Sequence, residues 1–269
     1  MRIVSLDGSR SPERMSNCLI IQHVAPEAPW SIADALVGAG VDIEIRRTFA
    51  GDDIPFDAAG YDGLVVMGGP MSAGSDEGFP TRQAELSLIA DAIESGIPTL
   101  GVCLGAQMVA LAGGAPVYAG SYGQEIGWAP VTLSRSCQDD RIFAGLPHKL
   151  KVLHWHGDTF DLPNGAQLLM SSPLYPCQAF RIGEVAWGVQ FHLEVTAEAV
   201  DAFVAAFAAD SAGAAGGPEA IRVDAVAALD AIASPRTLVF NRFAALVASR
   251  ERHEGPPVHR LKDLVQLSN

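Results

Sequence analysis

The stretch Thr99-Leu100-Gly101-Val102-Cys103-Leu104-Gly105-Ala106-Gln107 decides the fold. A short apolar run enters at Thr99 and a helix-forming run leaves from Leu104. Cys103 stands between them with a glycine two residues away on either side. A nucleophile elbow needs this arrangement: its backbone is strained and crowded by neighbouring elements, so the outer positions must lack side chains. Such a turn would lift the thiol to the C-terminal edge of the sheet, where open α/β folds bind ligands. The helix that follows would lower the cysteine pKa through its N-terminal dipole and offer free N–H groups to an oxyanion. Taken alone, the pentapeptide also fits a buried cysteine at a tight turn.

Around this stretch, short β-branched runs alternate with helical patterns. Strands are predicted at 19–24, 41–46, 64–67 and 99–102, and helices at 30–39, 82–95 and 104–111, stopped by Gly40, Gly96 and Gly113-Gly114. In the 82–95 helix, Leu86, Ile89, Ala90 and Ile93 form the predicted apolar face. This alternation, with continuous apolar strands, predicts an α/β fold with an open, mostly parallel central sheet flanked by helices. From about Trp128 the runs become closely spaced strands, at 131–133, 150–153, 167–170, 179–182 and 185–191. They are predicted to be antiparallel additions at the far end of the sheet. A helix over 196–209 then turns Val200, Phe203, Val204 and Phe207 inward. Residues 1–209 are read as the catalytic domain and the small, Gly/Ala-rich 210–218 as a linker. Residues 219–269 are read as a C-terminal helical extension, with helices over 219–233 and 237–250 that pack back on the domain or close a homodimer. The tail after Arg252 carries no clear pattern, and no internal repeat occurs.

The chain has 269 residues, 49% of them hydrophobic and 18% charged, enough to bury a large core. A net charge of −13 argues against a nucleic-acid partner, since a grip on phosphates needs a basic face. No apolar run is long enough for a membrane span, and Asp7 comes too early for a secretory signal. A cytoplasmic protein is expected. Cys18, Cys103, Cys137 and Cys177 form no CxxC pair and no zinc-module spacing. No zinc module is therefore expected, and a reducing compartment fits; no other metal and no cofactor is expected. Cys18 lies in an apolar run and reads as a small core residue. Cys137 and Cys177 lie in polar, turn-like stretches and read as having no catalytic role.

Partners for Cys103 come later in the chain. His192 follows the run 185–191 and would emerge at another strand end. Imidazole has the right intrinsic pKa to take a thiol proton and return it to a leaving amine. Glu194 is two residues on, and in extended backbone i and i+2 point the same way. Its carboxylate could orient the ring and support its charge, as in a catalytic triad. Gly68-Gly69-Pro70 ends a further strand, either as a simple turn or as an exposed N–H facing the thiol. Neither GxxxxGK[ST] nor GxGxxG is present, which disfavours a phosphate loop.

Together these motifs resemble the triad, or class I, glutamine amidotransferases. The pieces that carry the resemblance are Met67-Gly68-Gly69-Pro70, 101–107, Gly123-Gln124-Glu125-Ile126-Gly127-Trp128, His154-Trp155-His156-Gly157-Asp158 and Gln190-Phe191-His192-Leu193-Glu194. They occur in family order over roughly residues 18–208. The chain looks most like the glutaminase domain of GMP synthase and its stand-alone relatives. The resemblance implies Cys103 as nucleophile, His192 as base and acid, and Glu194 as the orienting carboxylate. It implies an oxyanion hole made by the N–H groups of Gly69 and Leu104. It also implies a substrate pocket in which Gln107 holds the α-amino acid end and His156, Gly157 and Asp158 line the wall. Many family members carry proline where this chain has Leu193, a change that should leave the triad geometry intact. No ATP-pyrophosphatase domain and no SGGxDS-like loop is found, so a complete two-domain GMP synthase is not expected.

Three functions follow from the resemblance. In the first, the chain hydrolyses glutamine through a γ-glutamyl thioester and passes ammonia to a separate synthetase subunit. In the second, the same triad cleaves γ-glutamyl peptides or γ-glutamyl amines. In the third, a catalytically silent member of the fold has a regulatory role; the retained His192 and Glu194 argue against this one.

Overall fold

The computed structural model describes residues 15–250. The N-terminal stretch read for a secretory signal and the tail after Arg252 lie outside these residues. The chain runs β1 (Asn17–Gln22), α1 (Trp30–Gly38), β2 (Asp42–Arg47), β3 (Gly63–Val66), α2 (Arg82–Glu94), β4 (Thr99–Val102) and α3 (Leu104–Ala112). There follow β5 (Val117–Ala119), β6 (Glu125–Leu133), β7 (Lys149–His156), β8 (Asp158–Phe160), β9 (Gln167–Ser171), β10 (Ala179–Ile182) and β11 (Ala186–Val189). Helices α4 (Ala197–Ala206), α5 (Ala208–Gly213) and α6 (Gly217–Ala248) complete the described chain.

Nine strands form one sheet in the order β2-β1-β3-β4-β11-β10-β9-β6-β7. The block from β2 to β11 is parallel, and β10, β9, β6 and β7 extend it antiparallel. This is the predicted α/β architecture. Strands β3 and β4 are buried along their whole length because helices cover both faces. In β1, Ile20 packs with Leu36, Phe243 and Val247 on the α1/α6 side, while Leu19 and Ile21 pack with Leu88 and Val109 on the α2/α3 side. The period of two along one strand thus feeds two separate cores. No helix among the described residues is long and apolar enough to cross a membrane.

Several elements differ from the sequence reading, each for an identifiable reason. Helix α2 buries Glu85, Leu88, Ile89 and Ala92, so its inner face is rotated from the predicted one. Glu85 turns inward because His23 and Thr81 hold its carboxylate, at 2.8 and 2.6 Å. Strand β6 begins at Glu125 rather than at Val131, since Gly127 (φ +100°) and Pro130 interrupt the apolar pattern without ending the strand. Cys137 and Cys177 are buried despite their polar sequence neighbours, and burial pushes both thiols up to about 12.

The stretch 210–218 is not an open linker. Its first residues close α5, and only Ala214, Ala215 and Gly216 precede α6. Gly216 takes the left-handed conformation (φ +76°) that starts this helix. The two helices expected beyond it are one helix running through Pro235. An interior proline removes a hydrogen bond and crowds the preceding turn. Here one apolar stripe, including Ala228, Ile232, Val239, Phe240, Phe243 and Val247, stays buried on both sides of it. Tertiary packing against α1, α4, β6 and β7 therefore overrides the local break.

Candidate active site

Cys103 sits between β4 and α3 with φ +52°, a left-handed value that a residue with a Cβ adopts only under constraint. The constraint is the sheet. A methyl at Gly105 would collide with the backbone oxygen of Val66 on β3, and one at Gly101 with the backbone oxygen of Gly105. The two glycines let strand, turn and helix approach closely enough to hold the thiol upright at the C-terminal edge of the sheet. This is the turn that the sequence predicted.

At the end of the neighbouring β11, the chain passes through Gln190 and Phe191 to His192. Its Nδ1 lies 2.7 Å from Glu194 Oε1, with both side chains buried. A His192 ring nitrogen, the Cys103 Sγ and a carboxylate oxygen of Glu27 all lie within 4.8 Å of one another. Since Glu194 occupies Nδ1, Nε2 is the nitrogen left for the thiol. Burial disfavours the imidazolium, but the Glu194 charge and the neighbouring thiol hold the His192 pKa well above its ordinary value. Burial pushes the Cys103 thiol up and His192 draws it down; burial prevails, so the thiol lies above its ordinary value rather than below it as the helix dipole alone predicts. The thiol also lies 3.6 Å from the carbonyl oxygen of Trp155, to which it donates.

Gly69 and Leu104 are adjacent: a methyl on Gly69 would come within 3.0 Å of the Leu104 side chain. The peptide that carries the Gly69 N–H is fixed from behind. His23 Nδ1 lies 3.1 Å from Gly68 O, and its Nε2 lies 2.8 Å from Glu85 Oε2. In a planar trans peptide the C=O and N–H point in opposite directions. Anchoring the Gly68 carbonyl therefore also sets the direction of the Gly69 N–H. Burial lowers the His23 pKa, but the Glu85 hydrogen bond and charge raise it further, to a net value above the ordinary one.

A cavity of about 320 Å³ opens beside the thiol. Cys103, Gly69, Gln107, His156, Gly157 and Asp158 all line it, while His192 and Glu194 stand behind the thiol. Gln107 Nε2 donates to Gln190 Oε1 at 3.2 Å and to Asp158 O at 3.5 Å. His156 lies between Asp158 O and Glu125 Oε2, each 3.0 Å from a ring nitrogen, and so pins the turn that forms the cavity wall. Burial raises the Glu125 carboxyl, but His156 and His154 bring it below the usual range overall. His154, Glu125 and His156 place ligand-type atoms within 4.8 Å of one another.

The sequence reading therefore named residues that the structure places together, but it missed Glu27, His23 and Glu85. Glu27 lies in Val24-Ala25-Pro26-Glu27-Ala28-Pro29, the loop leaving the C-terminal end of a parallel strand. A single carboxylate among small apolar residues at that end of a sheet is a usable signal. His23 and Glu85 are far apart in sequence and carry no shared motif.

Similarity to known proteins agrees with this geometry. The sequence profile of the glutamine amidotransferase class-I family matches residues 27–208. A glutamine amidotransferase-like protein of Salmonella typhimurium, YfeJ, is 36% identical over 169 residues, which span 61% of this chain and 70% of that one. A glutamine-hydrolysing GMP synthase of Porphyromonas gingivalis is 36% identical over 145 residues, 53% of this chain but only 26% of the synthase. Among solved structures, a glutamine amidotransferase from Thermotoga maritima superposes with a TM-score of 0.78 at 31% identity, covering 88% of this chain and all of the other. One from Methylobacillus flagellatus gives 0.79 at 28% identity, covering 90% and 99%. The chain belongs to the class-I glutamine amidotransferase family.

Proposed function

We propose that the protein is a cysteine amidohydrolase that cleaves the side-chain amide of glutamine to glutamate and ammonia. The observation that supports it most is the convergence of Cys103, His192 and Glu194, from two neighbouring strand ends, beside one cavity. In this reading, Cys103 transfers its proton to His192 Nε2 as Sγ attacks the carboxamide carbon. The oxyanion that forms is stabilised by the Gly69 and Leu104 N–H groups. The C–N bond breaks as His192 returns the proton to nitrogen. Ammonia leaves, and a γ-glutamyl thioester remains on Sγ. His192 then takes a proton from water as its oxygen attacks the thioester carbon, the C–S bond breaks, His192 returns the proton to Sγ, and glutamate is released. Gln107, with the wall at 156–158, holds the amino acid end of the substrate.

The similarity to GMP synthases supports a destination for this ammonia, a separate synthetase subunit that this chain would serve as a glutaminase. Glutamate and ammonia release from glutamine, measured separately, tests the reading. Cys103→Ala is expected to abolish both, and full activity in that variant would overturn it.

A further inference from the structure

We propose that Glu27 forms the leaving-group subsite of this centre and selects γ-glutamyl substrates whose leaving nitrogen is ammonia or a simple primary amine, rather than an amino acid. The inference rests on the amidohydrolase reading and names its substrate class.

The position of Glu27 is enforced from several sides. Its loop is fixed by Trp30 Nε1, which donates to Pro26 O at 3.1 Å, and by Gln22 Nε2, which donates to Val24 O and Ala25 O. The Ser31 N–H donates to Glu194 O at 3.3 Å, joining this loop to the His192–Glu194 segment. The carboxylate lies in space that a side chain at position 68 would occupy, so Gly68 is what admits it. From there it reaches to within 4.8 Å of both Cys103 Sγ and a His192 ring nitrogen. A leaving nitrogen must occupy that neighbourhood, because His192 has to protonate it.

Glu27 is 4% exposed, and its Oε2 finds no hydrogen-bond partner among the described residues. An unpaired buried carboxylate is costly, and this one also opposes thiolate formation on Cys103. A donor N–H or an ammonium at Oε2 would relieve both effects. Burial pushes the carboxyl up to about 7, against the pull of His192 and His23, so it carries its charge in mildly alkaline solution.

The rest of the cavity has the same sign. Its charged lining residues are Glu27, Asp158 and Asp210, and no lysine or arginine is among them. A departing amino acid would bring a second carboxylate, beyond the α-carboxylate that every γ-glutamyl substrate carries, into the neighbourhood of Glu27, whereas ammonia or an alkylamine would not.

Two measurements on wild type and Glu27→Gln test the proposal. The first compares kcat/KM for glutamine, γ-glutamylethylamide and γ-glutamylglycine. In wild type the ethylamide is expected to exceed the glycine substrate by about tenfold or more, and Glu27→Gln is expected to bring the two close together. A ratio that Glu27→Gln leaves unchanged would overturn the selection. The second needs no turnover: alkylation of Cys103 by iodoacetamide is followed with ethylammonium chloride or with an equal concentration of potassium chloride. Ethylammonium is expected to slow the reaction in wild type but not in Glu27→Gln. Absence of protection in wild type, or equal protection in both proteins, would rule out the subsite. If no substrate releases glutamate while Glu27-dependent protection persists, the amidohydrolase reading fails and the cation subsite stands. Circular dichroism melts establish that the isosteric variant is folded, and Glu27→Asp, which keeps the charge, is expected to restore part of the ratio.

Discussion

His192 Nδ1 stands 2.7 Å from Glu194 Oε1, and both side chains are sealed from solvent. Two residues of one short segment thus supply both a ring and the charge that supports it. Replacing Glu194 with Gln keeps the shape and removes the charge, so the pKa of His192 should fall. The charged His192 supports the Cys103 thiolate, so the pH dependence of Cys103 alkylation is expected to move toward higher pH in Glu194→Gln. Its kcat for glutamine should drop by about 10²- to 10⁴-fold.

His23 acts on the Gly68 peptide, so its loss should affect the oxyanion rather than substrate affinity. Replacing His23 alone would strand the buried Glu85 carboxylate. The informative protein is therefore His23→Phe with Glu85→Gln, which also keeps an aromatic ring against Phe79. We expect kcat to fall by about 10- to 100-fold with KM little changed, less than the roughly 100- to 1,000-fold of losing one oxyanion donor outright, because the N–H is loosened rather than removed. A rise in KM at constant kcat would contradict this role.

Gly105→Ala tests the close approach at the elbow. The added methyl meets the backbone of β3 rather than a movable side-chain tip. Thermal or denaturant unfolding should show a loss of about 3 kcal/mol, with activity falling as the elbow shifts.

His154 gives an acid-side stability signature. Burial lowers its pKa from 6.5 to about 4, with Glu125 opposing and His156 adding. Between those values the unfolded chain binds the additional proton, so stability falls as pH drops from 6.5 through 4, by about 3 kcal/mol in total. Its ring nitrogens find no hydrogen-bond partner among the described residues, although Glu125 Oε2 is 3.6 Å from Nδ1. His154→Leu is expected to flatten this dependence in denaturant melts at pH 4.5 and 7.

Much of the site was legible because it depends on local geometry. The spacing of Gly101, Cys103 and Gly105 is dictated by one turn, and that of His192 and Glu194 by one extended segment. The parallel block was legible because its strands are apolar without interruption. What the sequence hid depends on contacts between distant residues. Glu85 reads as the polar face of α2 until His23, 62 positions away, turns it inward. Pro235 reads as a helix end, because the packing that carries α6 through it comes from α1, α4 and the sheet. Glu27 belongs to the site only because Gly68 leaves room for it.

Helix α6 also sets the order in which the molecule can be completed during synthesis. The face of β1 and β3 that it covers through Phe243 and Val247 is made early, but its cover arrives only as the chain reaches residue 248. Strand β11, which pairs with β4, also comes late. On the ribosome, at about 5–20 residues per second, the first strands must wait roughly ten to forty seconds with an apolar face uncovered. The nascent chain therefore presents a binding surface for chaperones that the finished protein does not have.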